Sequence, residues 1–213
     1  MNLCIGILDL TPAWKAFFEF LGVACMQVNE PEELTVESCS VLIINTRVSP
    51  PLGTAIDAYL NNNGAVLEIG SNRHVYHDST FQKKRIHRVF NTMPDPRLNH
   101  IPWVDVYNTL ELIVNKNSLF NGLAHLSTAH NDQCTAWLAF DPSELLQQSG
   151  FKRKRFPGKK GIHPDEIVST VSKREVTELM LFILKELHFI RSLPFVKKWS
   201  SPVQEPVFGF RVD

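Results

Sequence analysis

A chain of 213 residues, 44% hydrophobic and 21% charged, is long enough to bury a substantial core, which excludes the low-complexity and disordered classes. Lys plus Arg balance Asp plus Glu at 22 each, so no global field favours a nucleic acid or an acidic membrane as partner. No segment approaches about 20 uninterrupted apolar residues, and the four cysteines stand singly, which argues against a membrane span and against a disulfide framework.

The opening residues, MNLCIGILDLTP, lack the positive leading segment of a signal peptide, so the expected compartment is the reducing cytoplasm. Leu3 to Leu10 is a near-continuous apolar run, the pattern of a strand covered on both faces. Thr11 and Pro12 supply an N-cap and a first helical residue, and the helix that follows stops at Gly22. VACMQV is a second strand and SVLIIN, Ser40 to Asn45, a third. Ser49 and Pro50 open a helix whose Leu52, Ala55, Ile56, Tyr59 and Leu60 share one face before Gly64 ends it. AVLEIG, Ala65 to Gly70, is a fourth strand. Strands alternating with helices through short connections imply right-handed crossovers. The expected fold is therefore an open, mostly parallel, flavodoxin-like α/β sheet with helices on both faces.

From Ser71 to about His100 no long period survives, and a loop or small hairpin is expected. YNTLELIVN and CTAWLAFD are two later strands, the second ending at Asp141 and Pro142. Ser172 and Glu175 form a capping box ahead of Val176, Leu179, Met180, Ile183, Leu184 and Leu187, an amphipathic helix. This first domain occupies residues 1–191, and the proline-bearing stretch 192–206 reads as a linker. In residues 207–213 of the closing PVFGFRVD, Phe208, Phe210 and Val212 alternate with Gly209, Arg211 and Asp213, the period of a half-buried strand.

Ligands of open parallel sheets gather at the carboxyl ends of the strands. Those ends carry Thr11, Arg47, Ser71, Arg73 and His74, the candidate groups for holding a sugar or an anion. His74 and His77, with Asp78 beside them, have no second cluster to complete a metal site, so neither a metal nor a cofactor is expected. TAHND, Thr128 to Asp132, reads as a polar turn. The basic run Lys152, Arg153, Lys154, Arg155, Lys159 and Lys160 reads as a solvated loop.

AVLEIGSNRHVYH resembles the place where class I glutamine amidotransferases carry their nucleophile elbow, with Gly70 or Ser71 where the cysteine belongs. GIHPDE, Gly161 to Glu166, resembles the His-Pro-Glu that supplies the base and its orienting acid, with Asp165 as an extra residue. The resemblance makes Ser71, His163 and Glu166 the catalytic candidates, with His74 and His130 as other possible bases for Ser71. From His163 through PVFGFRVD the chain resembles the junction in bacterial polysaccharide deacetylase-like proteins, where an amidotransferase-like domain lacking its cysteine precedes the deacetylase domain. That likeness implies that residues 207–213 begin a deacetylase domain in cis, with Asp213 at the first aspartate of its motif. Residues 1–191 would then be a non-catalytic accessory or interaction domain. The alternatives are a hydrolase with an atypical Ser/His site and a module that binds a small sugar or anion. An apolar terminal strand with an open edge also invites pairing with a second copy, so a homo-oligomer is a further expectation.

Overall fold

The computed structural model describes residues 4–92, 96–114, 118–128, 134–147, 153–154, 168–169 and 173–187. Along the chain run β1 (Cys4–Ile7), α1 (Pro12–Leu21), β2 (Ala24–Gln27), β3 (Val41–Ile44), α2 (Pro50–Asn61), β4 (Ala65–Ile69), β5 (Phe81–Phe90), β6 (Trp103–Ile113) and β7 (Ala124–Thr128). They are followed by β8 (Cys134–Leu138), α3 (Pro142–Gln147), the two-residue strands β9 (Arg153–Lys154) and β10 (Val168–Ser169), and α4 (Lys173–Glu186). The central sheet has the order β2-β1-β3-β4-β8-β7. Its first five strands are parallel, in the 2-1-3-4-5 order of flavodoxin-like sheets, and β7 runs antiparallel along the edge of β8.

The apolar runs explain the layers. In β1 and β3 every residue is buried, as two covered faces require. Ile5, Ile7, Val41, Ile43 and Leu67 face a core shared with Trp14, Phe17 and Phe18 of α1 and Val176, Leu179 and Ile183 of α4. Leu42, Ile44 and Val66 face the other way, onto Leu52, Ile56 and Tyr59 of α2. Helix α1 begins as its sequence dictates: the Thr11 hydroxyl accepts the Trp14 N–H at 3.3 Å, and Gly22 ends the helix in the left-handed conformation.

The stretch after β4 differs from the sequence expectation. Strands β5 and β6 build a long antiparallel arm in which Phe81 pairs with Ile113 and Phe90 with Trp103. YNTLELIVN is thus half of this arm and contributes no strand to the central sheet. Ile86, Val89, Val104, Val106, Leu110 and Leu112 join the main core, which explains why a separate two-stranded ribbon can persist. Across the arm Arg88 holds the buried Asp105 through two bonds of 2.6 and 2.9 Å. Strand β7 and helix α3 are two further elements that the sequence patterns did not announce. Helix α4 buries the apolar positions expected of it, from Val176 to Leu187. Ser172 of the expected capping box, the segment GIHPDE, the linker and residues 207–213 lie outside the described residues, as does the basic run apart from Arg153 and Lys154. Among the described residues no helix is long and apolar enough to cross a membrane.

Candidate functional site

The carboxyl ends of β3, β4 and β8 open into a cavity of about 350 Å³, roofed by Val106, Asn108 and Leu110 of β6. This is the end of an open parallel sheet at which ligands bind. The long arm therefore has a positional consequence: it hangs over the sheet where a crossover helix would otherwise begin.

The turn that leaves β4 shapes the floor. Gly70 has φ 66°, a conformation that costs an ordinary L residue about 1–2 kcal/mol. Its N–H donates to the Leu138 carbonyl at 2.8 Å and its carbonyl accepts from Trp137 Nε1 at 2.9 Å, so both neighbours hold the turn in place. A Cβ on Gly70 would meet nothing within 4 Å. The backbone thus makes an elbow-like turn over open space, with no side chain at its apex. Ser71 follows, exposed and lining the cavity.

Most other polar groups of the floor are committed to the frame. Asn45 accepts the Asp9 N–H at 3.0 Å and donates to the Asp9 carbonyl at 2.7 Å, tying the ends of β1 and β3 together. Asn72 donates to the Ile69 carbonyl at 2.7 Å. Asp141 accepts from Trp14 Nε1 at 3.0 Å, and from the N–H and hydroxyl of Ser143 at 2.8 and 2.6 Å, which caps α3. Among the described residues, Ser71, the amide nitrogen of Asn108 and the carboxylate of Glu144 remain to meet a solute. No Lys, Arg or His among the described residues lines this cavity.

Of the five candidate ligand groups, only Ser71 is among its lining residues. Thr11 is the cap of α1. Arg47 is exposed in the connection from β3 to α2. Arg73 pairs with Glu111 at 2.5 Å and lies over the Phe81 ring at 4.5 Å, fastening the turn to the arm. His74 turns onto α2, its Nε2 3.5 Å from Asp57 Oδ1 and its ring against Gly53. No hydrogen bond joins Ser71 to a histidine among the described residues; His130, His163 and Glu166 lie outside them. His77 and Asp78 are exposed, 3.2 Å apart, and no group of three or more potential metal ligands assembles among the described residues.

Glu68 is the site residue that sequence reasoning missed. It lies on β4 with no exposed surface, and its carboxylate accepts the N–H groups of His74, of Val75 at 3.1 Å and of Tyr76 at 3.0 Å. Burial pushes this carboxyl above the usual glutamate range, although the three N–H donors pull the other way. An acid in the middle of AVLEIG was the available signal, since a carboxylate buried in a parallel strand must find donors. Glu68, Trp137 and His125 form a row across β4, β8 and β7. Tyr76 covers His125 edge to face at 5.7 Å and shares a hydrogen bond of 3.1 Å with Thr135. Burial depresses the His125 pKa, and its Nδ1 has no partner among the described residues.

Strand order and strand-end cavity together define an open, flavodoxin-like α/β protein with an elbow-like turn that carries no side chain. No protein-family model matches the sequence, and no curated protein matches it. In three dimensions the chain is similar to a structure described as the mmIFT52 N-terminal domain, with a TM-score of 0.50 and 10% identity over 87% of this chain and 97% of that one. It is also similar to the β-galactosidase of Bacillus circulans sp. alkalophilus, with a TM-score of 0.53 and 8% identity over 88% of this chain but only 31% of that one. A ThuA-like protein from Bacteroides uniformis is a looser neighbour, with a TM-score of 0.40 and 11% identity over 63% of this chain and 79% of that one. At these identities the likeness is one of fold.

Proposed function

We propose that this chain is a non-catalytic, amidotransferase-like binding or interaction domain, accessory to a carbohydrate deacetylase domain in cis. The observation that carries the first half is the turn after β4: its apex is Gly70, where an acyl-transfer enzyme of this design needs a nucleophile. Ser71 does not replace it, because a serine requires a base within about 2.6–3.2 Å and none stands there among the described residues. The second half rests on the resemblance of the segment from His163 onward. Support of a general kind comes from the β-galactosidase neighbour, of which the matched part is 31%, so this fold is carried inside longer chains.

A second reading, a small-ligand module, is favoured by the cavity itself. Its lining combines amides and a hydroxyl with Phe140 and Leu110, and it holds Asp141 and Glu144 with no cation among the described residues. Such a lining suits a neutral polyol or an amino sugar better than a free anion.

The test is a deacetylation assay on acetylated amino-sugar oligomers with divalent metal. It compares the 213-residue chain with one extended along the same reading frame. Activity in the longer chain alone supports the accessory role. Amidase or esterase activity in the 213-residue chain, abolished by Ser71→Ala, overturns it. For the second reading, a sugar that binds the cavity at about 100 times its dissociation constant stabilises the fold by about 2.7 kcal/mol, and Asn108→Ala reduces that shift.

A further inference from the structure

Strand β2 ends the central sheet, and among the described residues it pairs with β1 alone. Natural edge strands are protected by charges, prolines or bulges. VACMQV, Val23 to Val28, has no charge and no proline, and its register with β1 is unbroken. We propose that this edge is an interface with a second copy of the chain, formed by antiparallel pairing of β2 with itself about a two-fold axis.

The hydrogen-bonding pattern fixes the register. The Val28 N–H donates inward to the Ile7 carbonyl at 2.9 Å, and successive residues of a strand point their backbone groups to alternate sides. The N–H and C=O groups of Cys25 and Gln27 therefore point outward. An axis at Met26 sets Cys25 of each copy against Gln27 of the other and satisfies all four of these N–H and C=O pairs.

The charges of α1 agree with this occupant. The helix passes into β2 through only Gly22 and Val23, with the Val23 N–H donating to the Phe18 carbonyl at 2.9 Å. Lys15 and Glu19 are exposed, stand one turn apart, and lie close enough to Cys25 to act on its thiol. A two-fold axis at β2 places the two α1 helices antiparallel on the same side of the joined sheet. Lys15 of each copy then approaches Glu19 of the other, and Phe20, 62% exposed, supplies apolar surface beside them. A self-complementary arrangement of this kind is what a two-fold interface requires.

Light scattering and sedimentation of the full chain over a wide concentration range test the proposal. The expected result is a dimer for the natural sequence. Gln27→Pro removes an outward N–H that β1 does not use, and is expected to yield a monomer with unchanged circular dichroism. Lys15→Glu sets like charges against each other twice and weakens the dimer at least about tenfold, whereas Lys15→Glu combined with Glu19→Lys restores it. A natural chain that stays monomeric at every concentration overturns the inference. So does a dimer that survives Gln27→Pro folded, or one whose strength ignores the Lys15 and Glu19 exchanges; the charge variants decide the matter if Gln27→Pro does not fold.

Discussion

Replacing Glu68 by alanine removes the acceptor shared by three consecutive N–H groups, those of His74, Val75 and Tyr76. A buried donor left without a partner costs about 1–3 kcal/mol. Three such losses set an upper range, from which relief of the carboxylate's own burial and entry of water must be subtracted. The expected net loss is about 3–5 kcal/mol, against a total stability of about 5–15 kcal/mol for a domain. At about 2–4 °C per kcal/mol for a chain of this size, the melting temperature falls by about 10 °C. Glu68→Gln keeps an acceptor but turns an NH2 group toward one of the donors, so its loss is intermediate. Urea unfolding measures the energies, and hydrogen exchange reads the local consequence as faster exchange of the amides of residues 74, 75 and 76. A loss below about 1 kcal/mol with unchanged protection of these amides would refute the view that Glu68 holds the turn beneath the cavity.

Acidity offers a second check. Burial lowers the pKa of His125 from its ordinary 6.5, so the stability tied to the neutral ring is fully present above that value and is lost as pH falls through the lower folded value. Glu68, with its pKa raised by burial, has the opposite sign: the stability linked to protonation of the buried carboxyl, as distinct from its three hydrogen bonds, is complete below 4.5 and is lost as pH rises through the folded value. The difference in melting temperature between the natural chain and His125→Phe isolates the histidine, and should move in favour of the variant below about pH 6.5. A third comparison concerns two glycines. Gly122→Ala would bring a Cβ to 2.5 Å from the Ile113 carbonyl at φ 95°, and is expected to cost about 3 kcal/mol or more in thermal unfolding. Gly70→Ala opens onto empty space and should cost only the left-handed conformation, about 1–2 kcal/mol. Finally, Asp141→Ala removes both the cap of α3 and the partner of Trp14, for an expected loss of about 2–4 kcal/mol by urea titration.

The first four strands and first two helices were legible because their signals are local. Thr11, Pro12 and Gly22 bound α1, and the runs CIGI, VLII and AVLEI are apolar enough to be covered on both faces. The arm was not legible for a physical reason: FQKKRIHRVF is dominated by cations, and its inward residues Ile86 and Val89 fall on either side of a register shift between Ile86 and Arg88. A simple alternation is thereby broken. Strand β7, AHLST, is short and has polar residues, and its existence depends on pairing with β8. The end of the sheet that carries the cavity followed from strand order alone. Its lining did not, since Asn108 comes from the arm and the side chains of Arg73 and His74 are drawn to Glu111 and Asp57.

The position of β8 in the sheet also governs how the chain can be assembled during synthesis. β4 meets one neighbour, β3, almost at once, but Ala65 waits for Cys134 on its other side, with the whole arm emerging in between. Until then the nascent chain has four adjacent parallel strands, β2-β1-β3-β4, and an open inner edge, while α4, which covers one face, has yet to be made. Pairings of such sequence separation form slowly, and exposed edges of this type are where aggregation begins. Pairing of β8 is thus the late step to expect in assembling the sheet, and mutations in CTAWL should depress yield more than their effect on the finished structure would suggest.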